Sequence, residues 1–212
     1  MCGIIGVANT IKASSYVIAG LEKLNHRGTD SAGAASFDGR RIYLRAQAGK
    51  VSDVFSGFNP ETLTGTFIKP DGSTGVYRLP GNMCIGHTRY PTSGSDPITD
   101  AQPIRSSKFG IAIAHNGQIN DVDGNISAML EANALYPRSE CDVEFLLHSL
   151  KDSLWKEKTK GDLSNDNIKN AVKNTMISIR ASAYSAIAIV QDKMIAFRDP
   201  FGIKPFVYGT QK

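Results

Sequence analysis

The chain opens on a stretch that reads as a buried strand. Residues 2–8, Cys-Gly-Ile-Ile-Gly-Val-Ala, are dominated by apolar and β-branched side chains, and the only interruptions are glycines that allow close backbone approach. Such a strand needs neighbours. Residues 31–48 suggest two strands joined by an Asp38-Gly39 turn, a dipeptide that tolerates the positive φ angles of a tight hairpin. Further short strands are expected at 83–88, 109–115, 183–190 and 193–198, the last two joined at Gln191-Asp192.

Helical spacing occurs between these strands. Val17, Ile18, Leu21 and Leu24 recur on one face of a segment that Ser14 could cap and that ends near Gly28. Val143, Leu146, Leu147, Leu150 and Leu154 do the same after Asp142, and a further helix is expected over about 166–180. Residues 57–82 are rich in Gly, Pro and Thr, with a Pro70-Asp71-Gly72 turn between short extended pieces; they read as a surface excursion, not a domain linker. The pattern predicts an α+β fold with sheets packed on each other and helices outside, and 212 residues suit one core.

Charge and cysteine usage narrow the function. The 24 Lys and Arg against 20 Asp and Glu are scattered, with no basic run interleaved with aromatics, so no nucleic-acid partner is expected. No apolar run approaches the roughly 20 residues that span a bilayer, and the N-terminus lacks the basic flank of a secretory signal. Three cysteines, Cys2, Cys84 and Cys141, are odd in number and lack CxxC spacing, which argues against a disulfide framework or a zinc ribbon and fits a cytoplasmic location. The histidines at 26, 87, 115 and 148 show no metal-ligand spacing, so neither metal nor cofactor is expected.

Four groups of residues could carry chemistry. Cys2 behind an initiator Met, once exposed by trimming, would hold a thiol and an α-amine of pKa roughly 7.7–8.0 in one residue, so nucleophile and base could coincide. A free cysteine is nevertheless more often a small core residue. In the run Gly86–Gly94, read as a loop after a strand, Arg89 offers a planar fork for a carboxylate; a structural ion pair is the plainer reading. After strand 111–114, the Asn116 amide and the Gly117 N–H could face a developing oxyanion, or the pair could form a simple turn. Asp142 could cap its helix or bind an ammonium group.

Met1-Cys-Gly-Ile-Ile-Gly, Asn25-His-Arg-Gly-Thr-Asp-Ser-Ala-Gly, Gly86-His-Thr-Arg-Tyr-Pro-Thr-Ser-Gly, Ala114-His-Asn-Gly and Arg198-Asp-Pro-Phe-Gly-Ile-Lys-Pro together closely resemble the class II glutamine amidotransferases. Within that family, Gly49-Lys-Val-Ser-Asp-Val-Phe, Gly81-Asn-Met-Cys-Ile-Gly-His and the Arg198–Pro205 segment look most like the glutaminase domain of amidophosphoribosyltransferases. The resemblance implies a four-layer αββα sandwich of the N-terminal-nucleophile hydrolase type, formed by residues 1–212 as a single glutaminase domain. Cys2 matches the family's nucleophile, and Asn116 with Gly117 its oxyanion hole. Arg89 matches the residue that holds the α-carboxylate of L-glutamine, with Tyr90 and Thr92 in the same segment. Asp142 matches the acid that receives the α-ammonium, and Arg27 occupies the position bordering the nucleophile.

The implied reaction releases ammonia from glutamine for an acceptor, phosphoribosylamine formation in purine synthesis being the first expectation. Nothing in the 212 residues resembles a phosphoribosyltransferase domain, so an acceptor synthase domain or subunit is an expected partner, and the resemblance also allows a homo-oligomer. The alternatives are a glutaminase subunit of another amidotransferase, such as a split glutamate synthase, and a non-enzymatic glutamine-binding module.

Overall fold

A computed structural model describes residues 1–90, 96–120, 124–132, 137, 139, 141–159, 161 and 163–210. Two four-stranded sheets form its centre. The first holds β1 (Gly3–Ala8), β6 (Met83–Arg89), β2 (Ser31–Phe37) and β3 (Ile42–Ala48) in the order β1-β6-β2-β3. The second holds β10 (Lys193–Arg198), β9 (Ala183–Val190), β8 (Ile111–Gln118) and β7 (Ile104–Ser106) in the order β10-β9-β8-β7. Every pairing is antiparallel.

The period-2 alternation of the strands separates three cores. Ala35, Phe37, Met83 and Ile85 of the first sheet pack against Ala112, Ala114, Ile187 and Ile189 of the second, making the layer between the sheets. Ala32, Ala34 and Cys84 turn the other way, toward α1 (Ala13–Leu24) and the short α2 (Val51–Val54). Behind the second sheet, Ile111, Ile113, Ala186 and Ala188 pack against α4 (Val143–Lys158) and α5 (Asn165–Ser178), with Leu130 of α3 (Asn125–Ala132) at the margin. Each leucine or isoleucine fully withdrawn from water here contributes about 1.5–3 kcal/mol. The layers run helix, sheet, sheet, helix, as expected from the sequence.

Residues 64–68 and 74–78 form a separate two-stranded sheet, β4 (Thr64–Ile68) with β5 (Thr74–Arg78), the extended pieces expected around Pro70-Asp71-Gly72. It is fastened by Arg45 of β3, whose guanidinium lies over the rings of Phe67 and Tyr77, 4.4 and 4.9 Å from their centroids. The hairpin at Asp38-Gly39 is present; the Asp38 carboxylate accepts from the Arg40 and Arg41 N–H groups at 2.9 Å.

Some local expectations are corrected. Ser14 does not cap α1: it lies inside the helix, fully buried, and its hydroxyl donates to the Leu79 carbonyl, because this face of the helix is pressed against the segment after β5. The segments around Arg89 and Asn116-Gly117 are strand rather than loop, since β6 runs through Arg89 and β8 through Gln118. The glycines that suggested punctuation instead allow close packing. A Cβ on Gly86 would strike Val17 and Leu21, and one on Gly117 would strike the Ala183 carbonyl and Tyr184.

Candidate active site

Register brings the sequence-selected residues to one end of the sandwich. Gly3 lies opposite Thr88, which sets Cys2 at the mouth of the β1–β6 ladder beside Arg89. The alternation that turns Ile4, Met83 and Ile85 toward the second sheet gives Cys2 and Arg89 the same direction. On the facing sheet, Ala112 and Ala114 point inward, and Asn116 continues that row, opposite Ser185. Cys2 is a partly exposed free thiol. Cys84, by contrast, is fully buried beneath α1, and burial pushes its thiol up to about 12, as suits an inert core residue.

Arg89 is only 7% exposed and is oriented from several sides. Its Nη2 meets the Asp100 carboxylate at 2.9 Å, its Nη1 donates to the Asp100 carbonyl at 3.3 Å and to Cys141 Sγ at 3.1 Å, and Asp30 lies 3.8 Å from its Nε. Burial works against the guanidinium charge, but Cys141, Asp100 and the Cys2 thiol outweigh it and hold the group above its ordinary range. Arg27 reaches the nucleophile candidate directly, donating from Nε to the Cys2 carbonyl at 3.0 Å.

Asp142 stands at the head of α4 without capping it. Its carboxylate instead points across to β8, accepting from the Ile119 N–H at 2.7 Å and standing 3.3 Å from His115 Nε2. Burial raises this carboxyl, yet His115, the Ile119 N–H and Arg89 together hold it below the usual carboxylate range. Cys141 precedes it and touches Arg89, so the cationic and anionic groups are one residue apart through that contact. Opposite charges thus flank a site with a thiol at its edge.

Asn116 is 5% exposed, and Gly117 has a φ of +150°, where a side chain would be strained and would collide with β9. Tyr90 is largely exposed next to Arg89. Thr92 lies outside the described residues. Sequence reasoning missed Asp30, Asp100, Gln102 and Cys141 as neighbours of these groups. Their one usable signal was Asp30 and its place inside the Asn25–Gly33 motif. Among the described residues no group of three His, Cys, Asp or Glu side chains could hold a metal ion, and no helix is long and apolar enough to cross a membrane.

Residues 87–212 match the family described as a glutamine amidotransferase domain. The chain belongs to that family. Whole-chain relatives of this glutamine amidotransferase domain agree in kind. It is 36% identical over 214 residues to an amidophosphoribosyltransferase of Escherichia coli, covering 100% of this chain and 39% of that protein. It is 34% identical over 216 residues to an amidophosphoribosyltransferase of Methanocaldococcus jannaschii, covering 100% and 40%. The chain therefore spans about two fifths of the length of these curated relatives. Its fold superposes on a structure described as the allosteric regulatory enzyme of purine biosynthesis with a TM-score of 0.75 and 25% identity, over 97% of this chain and 38% of that one. The Bacillus subtilis glutamine phosphoribosylpyrophosphate amidotransferase complexed with ADP and GMP gives 0.73 at 24% identity, over 97% and 38%. The αββα arrangement is that of the N-terminal-nucleophile glutaminase domain.

Proposed function

We propose that the chain hydrolyses the side-chain amide of L-glutamine through a thioester on Cys2. Removal of Met1, which is 62% exposed, would free the Cys2 α-amine to act as base. The amine takes the thiol proton as Sγ attacks the amide carbon, and Asn116 with the Gly117 N–H receives the oxyanion. When the C–N bond breaks, the proton returns to nitrogen and ammonia leaves. Water then attacks the γ-glutamyl thioester, restoring the thiol and releasing glutamate.

Arg89 and Asp142 select the substrate in this reading. The guanidinium takes the α-carboxylate and the carboxylate takes the α-ammonium, so a substrate must carry both charges at amino-acid spacing. Arg27 steadies the nucleophile by its bond to the Cys2 carbonyl. The observation that carries the proposal is the convergence, at one end of the two sheets, of the Cys2 thiol with Arg89 and Asp142, which are of opposite charge and linked through Cys141. The ammonia serves an acceptor domain or subunit, with phosphoribosylamine formation the reaction favoured by the amidophosphoribosyltransferase relatives.

The test is mass spectrometry of the purified chain with and without an electrophilic glutamine analogue. The expected result is loss of Met1 and one adduct mapped to Cys2, absent from a Cys2→Ala variant that also lacks glutamine hydrolysis. An unmodified mass still bearing Met1, or hydrolysis surviving in Cys2→Ala, sinks the proposal.

A further inference from the structure

Gln102 sits outside every role assigned so far, yet it is only 1% exposed and lies between the two charged groups of the site. It stands two residues before β7, whose Ile104 pairs with Ile113 of β8, and this brings it alongside His115. Its backbone is admitted by Gly33 of β2, where a Cβ would strike the Gln102 carbonyl. The backbone of Gln102 is thus fixed between the two sheets.

Its side chain has one orientation. The His115 main-chain N–H donates to it at 2.8 Å, and since an N–H can only donate, the atom there is the carbonyl Oε1. The same oxygen faces His115 Nδ1 at 3.3 Å, while His115 Nε2 faces Asp142 Oδ1 at 3.3 Å. With Oε1 so placed, the amide nitrogen turns to Cys141 Sγ at 3.7 Å, the sulfur that receives Arg89 Nη1 at 3.1 Å. One buried amide therefore links both arms: its carbonyl contacts His115, which faces Asp142, and its NH₂ contacts Cys141, which receives Arg89.

The geometry points to Gln102 as a positioning residue that sets the separation and aim of the carboxylate and ammonium subsites, and so the affinity for the α-amino-acid end of the substrate. This rests on the reading of Arg89 and Asp142 given above. Among the described residues no hydrogen bond joins Gln102 to the Cys2 thiol or to Asn116, so its influence falls on binding more than on bond breaking. In a buried network an unpaired N–H is costly, and the strand around His115 would shift to recover a partner.

The experiment compares the 212-residue chain with Gln102→Met, which keeps the length and volume but offers no carbonyl, and Gln102→Glu, which keeps an acceptor for His115. Steady-state glutamine hydrolysis is read together with the rate of Cys2 alkylation by iodoacetamide, a reagent without an α-amino-acid group. Gln102→Met is expected to raise KM for glutamine about ten-fold or more, with a smaller fall in kcat and an unchanged iodoacetamide rate. Gln102→Glu is expected to recover part of the KM. An unchanged KM in Gln102→Met overturns the inference, as does a matching loss of iodoacetamide labelling, which marks a general packing role. A wild-type chain that takes up iodoacetamide at Cys2 but neither hydrolyses glutamine nor reacts with its electrophilic analogue overturns the functional reading beneath it.

Discussion

The two central sheets have the same strand number and the same antiparallel pairing, but they are built of different material. The first contains Gly3, Gly6, Gly33 and Gly86, each at a position where a Cβ would run into a neighbouring element. The second is filled by Ile111, Ile113, Ile187 and Ile189, with a glycine only at its end, Gly117. The thin sheet lets α1, the second sheet and the Gln102 segment approach its backbone, and it carries the thiol and the guanidinium. The bulky sheet carries the Asn116 amide and the Gly117 N–H. The guanidinium is thus tied to the fold of its sheet through buried partners, while Asn116 and Gly117, the proposed oxyanion donors, extend from the end of an isoleucine-filled core.

That contrast predicts different outcomes for matched substitutions. Arg89→Ala should cost both fold and function. It strands Asp100, whose side chain is 6% exposed, without its guanidinium, and breaking a buried ion pair destabilises by about 3–5 kcal/mol. Urea unfolding would show a lowered midpoint, and glutamine hydrolysis would be lost; an unaltered midpoint would mean that Asp100 does not depend on Arg89. Asn116→Ala should separate the two effects. In the proposed reaction it removes one oxyanion donor and lowers kcat by about 10²–10³, roughly 3–4 kcal/mol, while the unfolding midpoint stays near wild type. Near wild-type turnover in that variant would remove Asn116 from the chemistry.

The same contrast explains what could be read from the chain in advance. The apolar alternation of 2–8, 83–88 and 183–190 and the heptad-like spacing after Asp142 reflect burial, which is a property of local pattern, so the layers were legible. Cys2, Arg89 and Asn116 stood out because their neighbours formed recognisable motifs, and Asp142 because it opens an amphipathic helix. Asp100 and Gln102 did not, because residues 96–103 have no periodicity and their partners, Arg89, Cys141 and His115, lie 11 to 39 residues away. Ser14 misled for a related reason: a hydroxyl near a helix start suits a cap, but a tertiary acceptor, the Leu79 carbonyl, took it. Gly86 and Gly117 looked like loop punctuation, whereas their lack of a side chain serves packing inside strands.

His87 offers the finest test of how dry the layer between the sheets is. It is fully buried on β6, and neither ring nitrogen has a well-aligned hydrogen-bond partner among the described residues, the His115 main chain serving only poorly. Burial first, then the nearby His115 and Arg89, push its pKa down to about 3. The folded ring stays neutral through the range where the unfolded chain, with an ordinary histidine pKa of about 6.5, takes up a proton. More protons on the unfolded state at low pH means that stability rises with pH across that window. The full contribution is present above about pH 6.5 and falls as the pH drops toward about 3, by up to about 1.4 kcal/mol per unit from this one group. Between pH 7.5 and pH 5, the wild type should therefore lose about 2 kcal/mol that His87→Leu, a side chain of similar bulk that cannot titrate, retains. Equal acid sensitivity of the two unfolding curves would show that His87 accepts a proton in the folded state, and that water or a charge reaches the layer between the sheets.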